Sequence, residues 1–362
     1  MNSKKILVTG SLGYIGTALT PHLLDLGFRV LGLDTGFFNN CKLFEKNDTD
    51  VLIADMRNFD EKLLDNIDVV VHLASIANDP FGNLDPKEIY NPITKYSIFL
   101  AKLCKEKGIK FIWPSSCSVY GISKDIIDEE STLDPQTAYS KNKVEFEKEL
   151  IKISDHSFQP IILRLATLYG FSNRIRFDLV LNMFAGMSYL NKKIVLNSNG
   201  QSWRPVVHIN DVIKAIVTCI KDEPVSSNDN ALILNVGCTD DNYKIADLAK
   251  KVSSSNPGTK VEFINYKKDL DEDQNRITDQ NINDGVDVRT YRVSFEKIKK
   301  VYPNFFTDWN INKGVTQMLE KFDELNLKSN DFNNPKFYRL KTMEKLFNNR
   351  LIDAQLNWIN EI

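Results

Sequence analysis

The chain has 362 residues, of which 42% are hydrophobic, and its formal net charge at pH 7 is −2. This length predicts more than one lobe, and the near-neutral charge gives no basis for a nucleic-acid-binding surface. Five widely spaced cysteines without a C-x-x-C pair argue against a disulfide framework or a zinc site and suit a reducing cytoplasm, where we expect the protein. No apolar run reaches the length of a membrane span, and no signal peptide precedes the first strand, so we expect no membrane association.

Residues 6–34 predict a dinucleotide-binding strand-helix-strand unit. The apolar run at 6–8 suits a buried strand of a parallel sheet, and three glycines follow it. Gly10 permits a sharp turn, Gly13 lets the backbone approach a pyrophosphate, and Gly16 allows the helix to pack tightly. Phosphates would bind the free N–H groups at the helix N-terminus. Asp34 ends the next strand about twenty residues later, where a carboxylate binds the ribose hydroxyls and favours NAD over NADP.

The first half of the chain alternates short apolar runs with helical stretches, which predicts a Rossmann-type, doubly wound parallel sheet of the α/β class. We predict strands at 51–55, 69–74, 111–116 and 160–166, a late strand at 231–237, and helices at 88–107 and 137–153. Ligands of such sheets bind beyond the carboxyl ends of the strands, where Asp55, Ala74, Ser115 and Ser116 are placed. A small residue such as Ala74 suits helix packing about as well.

Three regions are predicted along the chain. Residues 1–170 form the NAD-binding domain, to which a strand near 205–238 returns. Residues 171–204 and 239–324 form a smaller, mostly C-terminal substrate lobe, in which the polar segment 255–290 is strand-poor. Residues 325–362 form an appendage of one or two amphipathic helices, whose aromatic side chains pack either on the core or on a partner chain.

Tyr139 and Lys143 form a Y-x-x-x-K pair at the start of a predicted helix. Residues four apart lie on one helical face, so the Lys143 ammonium can stabilise a Tyr139 phenolate and lower the tyrosine pKa from about 10. Such a tyrosine can act as a general base. Taken alone, the pair also fits an ordinary surface contact.

The spacing G-x-x-G-x-x-G, the segment SSCSVYG at 115–121 and the Y-x-x-x-K pair together resemble the extended short-chain dehydrogenase/reductase family. The similarity is to its NAD-dependent sugar-nucleotide epimerase/dehydratase branch, of the UDP-glucose 4-epimerase type, and it covers roughly residues 4–320. It implies NAD as cofactor, a nucleotide-diphosphate sugar as substrate, and a homodimer formed by helices 88–107 and 137–153. It also implies a catalytic triad of Ser116, Tyr139 and Lys143, in which Ser116 binds the reacting sugar oxygen.

The same resemblance implies the binding residues. Those for the cofactor are Gly10, Gly13, Tyr14, Ile15, Gly16, Asp34, Asp55, Met56, Leu73, Ala74, Ser75, Asn91, Tyr139 and Lys143. Those for the substrate are Ser116, Cys117, Asn182, Arg204 and Arg289. Arg204 would contact the diphosphate, because a guanidinium binds phosphate oxygens in bidentate fashion, although an ion pair with Asp211 or another carboxylate is an alternative. The four scattered histidines suit structural roles, and we expect no metal.

The implied reaction begins when Tyr139 takes a proton from a sugar hydroxyl at C4 and the nicotinamide takes the hydride, which leaves a 4-keto sugar. Dehydratases of the family carry an Asp-Glu pair directly after the active hydroxyl residue, whereas this chain has Cys117 and Ser118 there. The sequence therefore favours C4 epimerisation over 4,6-dehydration. A dehydrogenase or 4-ketoreductase with net redox change stays open, and a non-catalytic NAD-binding protein is the alternative from another class.

Overall fold

A seven-stranded parallel sheet forms the centre of the fold in the computed structural model, which describes residues 3–45, 50–58, 60–77, 85–225, 230–264 and 289–359. The strands are β1 (Lys5–Thr9), β2 (Arg29–Asp34), β3 (Val51–Ile53), β4 (Val69–His72), β5 (Lys110–Ser116), β6 (Ile122–Ile127), β7 (Ile161–Leu165), β8 (Thr167–Tyr169), β9 (Lys193–Leu196), β10 (Trp203–His208), β11 (Leu232–Val236), β12 (Asn242–Lys244), β13 (Lys260–Phe263) and β14 (Thr290–Val293). The helices are α1 (Gly16–Asp25), α2 (Pro86–Lys107), α3 (Ala138–Ile153), α4 (Val180–Asn191), α5 (Ile209–Lys221), α6 (Ile245–Ser255), α7 (Glu296–Val301), α8 (Ile311–Glu324), α9 (Ser329–Phe332) and α10 (Arg339–Asn348).

The strand order in the large sheet is β3-β2-β1-β4-β5-β7-β11, and every neighbouring pair is parallel. The chain moves outward from β1 through β2 to β3 and then returns to place β4 on the other side of β1. This reversal opens a crevice at the carboxyl ends of β1 and β4, the usual ligand position in such sheets. The predicted Rossmann-type, doubly wound sheet is confirmed.

The strands of this sheet are continuous apolar runs because helices cover both of its faces. Ile6, Leu7 and Val8 of β1 are fully buried. The strands predicted at 51–55, 69–74, 111–116, 160–166 and 231–237 correspond to β3, β4, β5, β7 and β11, and the predicted helices to α2 and α3. Their ends differ by a few residues because caps and turns, rather than apolar periodicity, set where an element stops.

Three smaller sheets, β12-β10-β8, β13-β9 and β14-β6, include the strands of the predicted second lobe, residues 171–204 and 239–324. The segment 255–290, expected to be strand-poor, contains the short strand β13 at Lys260–Phe263, which pairs in parallel with β9. These four residues are mostly exposed, so backbone pairing with β9 rather than an apolar pattern defines the strand. Residues 265–288 of that segment lie outside the described residues.

The C-terminal appendage contains α9 and α10 and packs on the body of its own chain. Phe332 and Phe337 are buried against Phe177, with ring centroids 4.7 and 5.7 Å away. Further on, the Trp358 indole donates to the carbonyl oxygen of Thr35 at 2.8 Å, just after β2. Of the two alternatives for the appendage's aromatic residues, these contacts show packing on the core. Among the helices of the described ranges, none is long and apolar enough to cross a membrane.

Candidate active site

One cleft of about 1750 Å³ runs along the carboxyl ends of the central strands and continues into the second lobe. It brings together most of the residues predicted to bind cofactor or substrate. Its walls include Gly10, Gly13, Tyr14, Ile15, Gly16, Asp34, Asp55, Met56, Leu73, Ala74, Ser75, Ser116, Tyr139, Lys143, Arg204 and Arg289.

The glycine turn between β1 and α1 has the shape that a dinucleotide pyrophosphate requires. Gly10 adopts a left-handed conformation with φ of +71°, and a Cβ there would lie 2.7 Å from the Ala74 backbone nitrogen. A Cβ on Gly16 would lie 2.5 Å from the Gly10 carbonyl oxygen, so the start of α1 packs directly on the turn. The first N–H groups of a helix lack intrahelical acceptors, and the start of α1 faces the cleft through Tyr14, Ile15 and Gly16. These features fit a bound dinucleotide.

Asp34, at the end of β2, faces the cleft and also accepts hydrogen bonds from nearby backbone N–H groups, one of them in the glycine turn. Its Oδ2 accepts the Leu12 N–H at 2.9 Å, and its Oδ1 accepts the Gly36 N–H at 2.8 Å. Burial raises the pKa of this carboxyl group, and the two backbone donors oppose the rise. Each oxygen of a carboxylate has a second lone pair, so Asp34 can still accept from ribose hydroxyls.

Replacing Asp34 with alanine should therefore have two effects. The ratio of NAD to NADP affinity should fall, because the carboxylate that repels a 2′-phosphate is gone. The free energy of unfolding should also fall by about 1–3 kcal/mol for each backbone N–H left without an acceptor. Calorimetric titration with both cofactors and urea unfolding measure these effects. An unchanged affinity ratio would place ribose recognition elsewhere.

The pair Tyr139 and Lys143 is positioned by the first turn of α3. Thr137 caps this helix through a reciprocal capping box with Ser140. The Lys143 Nζ donates to the Pro114 carbonyl oxygen at 3.0 Å and lies 5.6 Å from the centroid of the Tyr139 ring. At the end of β5, the Ser116 Oγ accepts the Ser118 N–H at 3.1 Å, which leaves its own hydrogen to donate.

Burial lowers the pKa of Lys143 to about 7, and the Glu147 carboxylate opposes the shift. In the unfolded chain a lysine keeps its proton to about pH 10, so between these values the unfolded state binds more protons than the folded state. The contribution of Lys143 to stability therefore rises with pH across this window. The free energy of unfolding is measured in urea for both NAD-free proteins. From pH 7 to pH 10, the value for wild type should rise by at least on the order of 1 kcal/mol relative to that for Lys143→Met. A difference that stays constant with pH would contradict this assignment.

Arg204, on β10, lines the cleft together with Arg289. The Arg204 Nη1 donates to the carbonyl oxygen of Trp203 at 2.7 Å and to that of Arg289, and its guanidinium lies 5.4 Å from the Tyr291 ring centroid. Asp211, the alternative partner considered from the sequence, accepts the backbone N–H groups of Asp308 and Trp309. Arg204 therefore lines the cleft with a largely buried guanidinium that is bonded to backbone carbonyl oxygens and not to Asp211.

Three residues predicted to bind ligands do not line the cleft. Cys117 is 1% exposed, and its Sγ donates to the Arg164 carbonyl oxygen at 3.2 Å because the short turn after β5 directs it inward. Asn182 is fully buried; its amide nitrogen donates to the Tyr14 hydroxyl and its oxygen accepts the Gly170 N–H. Asn91 is exposed on α2, on the side opposite to the cleft-lining Ile89 and Ile93. We therefore correct these predicted contacts and assign Cys117 and Asn182 to the core.

The cleft wall also contains residues that sequence reasoning missed. Arg176 forms a two-point ion pair with Asp178, both contacts at 2.9 Å, and acts electrostatically on the Tyr139 hydroxyl. Both residues line the cleft, and the close R-x-D spacing was the one available signal. The appendage contributes Arg339, Leu340, Met343, Gln355 and Leu356. No motif marked these five, because they lie beyond the segment that resembles the family.

Within the described part of the chain, no group of three or more His, Cys, Asp or Glu side chains is arranged to hold a metal ion. His72, at the end of β4, is buried between the hydroxyl groups of Thr9 and Ser97, at 2.7 and 2.9 Å. Burial lowers its pKa to about 3, so it stays neutral and serves the packing of the sheet.

Comparisons with known proteins agree with this geometry. The model of the NAD dependent epimerase/dehydratase family matches residues 6–237. An uncharacterized UDP-glucose epimerase of Bacillus subtilis (strain 168) is 32% identical over 240 residues, which cover 60% of this chain and 72% of the relative. A UDP-glucose 4-epimerase of Vibrio cholerae is 32% identical over 247 residues, covering 64% and 70% respectively.

Solved structures show the same fold. A UDP-glucuronic acid 4-epimerase from Bacillus cereus, in complex with UDP-glucuronic acid and NAD, aligns with a TM-score of 0.70 and 23% identity, covering 89% of this chain and 99% of its own. A dTDP-glucose 4,6-dehydratase from Bacillus anthracis in complex with NAD aligns with a TM-score of 0.69 and 17% identity, covering 92% and 100%.

Proposed function

Because the chain belongs to the NAD-dependent epimerase/dehydratase family and NAD is its cofactor, we propose that it is a nucleotide-diphosphate-sugar 4-epimerase acting through a transient 4-keto sugar. The main support for the proposal is that Ser116, Tyr139 and Lys143 line the same cleft as the glycine turn. The B. subtilis and V. cholerae relatives named as UDP-glucose epimerases support the choice of reaction.

In the proposed reaction, the Tyr139 oxygen takes the proton of the sugar C4 hydroxyl and later returns it. Lys143 stands one helical turn away, where its positive charge stabilises the phenolate. Ser116 donates a hydrogen bond to the same sugar oxygen. NAD, when bound, supplies the redox chemistry by accepting the hydride from C4 and giving it back. Return of the hydride to the opposite face of the ring inverts C4.

The residues after Ser116 favour epimerisation over loss of water. Elimination across C5 and C6 needs an acid and a base, and the two positions concerned are Cys117 and Ser118. The Cys117 thiol is turned into the core, and burial raises its pKa well above the ordinary range. Ser118 lines the cleft but carries only a hydroxyl. Neither side chain can supply a carboxylate to the sugar.

The positions of Arg204 and Arg289 support a binding mode in which the sugar ring of the substrate can rotate. Arg204 and Arg289 lie in the second lobe, whereas Tyr139 and Ser116 lie on the large-sheet side of the same cleft. We place the substrate diphosphate on the arginines, because guanidinium groups bind phosphate oxygens with two hydrogen bonds. A sugar held through its diphosphate keeps the freedom to rotate its ring and present either face.

The homodimer expected through α2 and α3 remains part of the proposal. Phe99 on α2 and Ile151 on α3 are exposed apolar side chains, at 42% and 45%. Such side chains on paired surface helices suit an interface between two copies of the chain.

The test is incubation of the purified protein with UDP-glucose, UDP-galactose, UDP-glucuronic acid and dTDP-glucose, each deuterated at C4, followed by NMR. A 4-epimer that retains deuterium, without accumulation of NADH, supports the proposal. A keto sugar formed together with NADH indicates a dehydrogenase, and a 6-deoxy-4-keto sugar indicates a dehydratase; either result would overturn it. The Tyr139→Phe protein serves as the control for contaminating activities.

A further inference from the structure

Arg339, the first residue of α10, is a buried cation in the wall of the cleft. The residue is 5% exposed, and its guanidinium lies 4.1 Å from the centroid of the Phe38 ring. Its Nη2 donates to the Arg174 carbonyl oxygen at 3.4 Å. Its Nη1 is buried and finds no hydrogen-bond acceptor among the residues that the structure describes. A buried donor of this kind is costly to leave unpaired, so it points to a ligand.

Arg339 is connected to the glycine turn through Arg174. Arg174, which Arg339 contacts, donates through its own Nη1 to the carbonyl oxygen of Leu12, between Gly10 and Gly13. The charges of Arg174 and Arg339 also oppose the burial that raises the pKa of Asp34, so both guanidinium groups lie near that carboxylate. Arg339 thus lines the same cleft as the glycine turn and Asp34, and Arg174 connects it to that turn.

The local charge around Arg339 favours an anion. Burial, followed by the positive charges of Arg176 and Arg174, lowers the pKa of Arg339 to about 10 against the opposing effects of Cys41 and Asp178, so the group remains charged at neutral pH. Burying a charge costs free energy unless an opposite charge compensates it. A planar guanidinium matches phosphate oxygens well, because its N–H groups form a fixed fork.

We propose that Arg339 donates through Nη1 to the diphosphate of NAD, so that the C-terminal appendage supplies a cofactor-binding cation to the glycine turn. The appendage is held against this end of the cleft by other contacts as well. Arg57 donates to the carbonyl oxygens of Gln355 and Leu356 at 2.6 and 2.9 Å, and Trp358 donates to Thr35. Removing the Arg339 charge should therefore leave the appendage in place.

The test measures the binding of nucleotide fragments, so its result does not depend on the reaction that the enzyme catalyses. The full-length chain, purified free of nucleotide, is titrated in a calorimeter with adenosine, 2′-AMP and ADP. For Arg339→Met we expect the affinity for ADP to fall by about tenfold to a hundredfold, as for loss of one charge-assisted hydrogen bond, with adenosine affinity unchanged. The matched control is Lys345→Met, which removes one positive charge from an exposed position of the same helix and should leave all three affinities as in wild type.

Three results would overturn the proposal. An unchanged affinity for ADP would show that Arg339 does not meet the diphosphate. Equal losses for adenosine and ADP would show that the residue only supports the wall of the cleft. A loss of affinity confined to 2′-AMP would show that Arg339 contacts a phosphate on the ribose instead of the diphosphate. If Arg339→Met lowers the unfolding temperature of the nucleotide-free chain, Arg339→Gln replaces it, because glutamine can still donate to the Arg174 carbonyl oxygen.

Discussion

Replacing Tyr139 with phenylalanine should reduce turnover by about 10²–10⁴-fold, the usual contribution of general acid–base catalysis. The substitution removes the oxygen that accepts the substrate proton but keeps the ring beside Lys143, whose Nζ lies 5.6 Å from its centroid. We therefore expect the amount of NAD bound per chain to stay close to that of wild type. The measurements are steady-state epimerisation and the NAD content of the purified protein.

Tyr189→Phe is the matched control for this substitution, since it removes a hydroxyl group that contacts Asp323 at 3.3 Å, away from the cleft. This variant should retain wild-type turnover. If Tyr139→Phe kept more than about a tenth of the activity, a general-base role would be excluded for Tyr139.

Replacing Arg204 with alanine should raise KM for the nucleotide sugar by roughly ten- to over a hundredfold, because one charge-assisted contact contributes about 1.5–3 kcal/mol. If the diphosphate contact is equally strong in the ground and transition states, kcat should change much less. Arg204→Lys should recover only part of the loss, because an ammonium keeps the charge without the forked geometry. Both variants are measured at saturating NAD.

The structure also gives Arg204 a supporting role, since its guanidinium donates to the backbone carbonyl oxygens of Trp203 and Arg289. Arg292→Ala is therefore a useful control, because Arg292 stacks on the Trp203 ring at 5.2 Å and is absent from the cleft wall. It should leave KM unchanged. An Arg204→Ala protein with normal KM and lowered thermal stability would identify Arg204 as a purely structural residue.

The features that the sequence alone determined are those encoded by near neighbours along the chain. The apolar runs at 6–8 and 69–74 predict buried parallel strands, and the spacing of Gly10, Gly13 and Gly16 predicts the turn between strand and helix. Tyr139 and Lys143 lie on one face of α3 because residues four apart on a helix always do. The parallel, doubly wound class of the large sheet follows from the same local alternation of strand and helix.

Only the tertiary structure decided which side chains of these segments face the cleft. Cys117 follows Ser116 directly, yet its thiol points into the core, and Asn182 is held by Tyr14 and Gly170 instead of meeting a ligand. Arg339, near the far end of the chain, contacts Arg174, whose guanidinium donates to Leu12 in the glycine turn. The physical reason is that side-chain direction in turns, and contacts between distant segments, depend on how packed elements meet in three dimensions, which local periodicity does not encode.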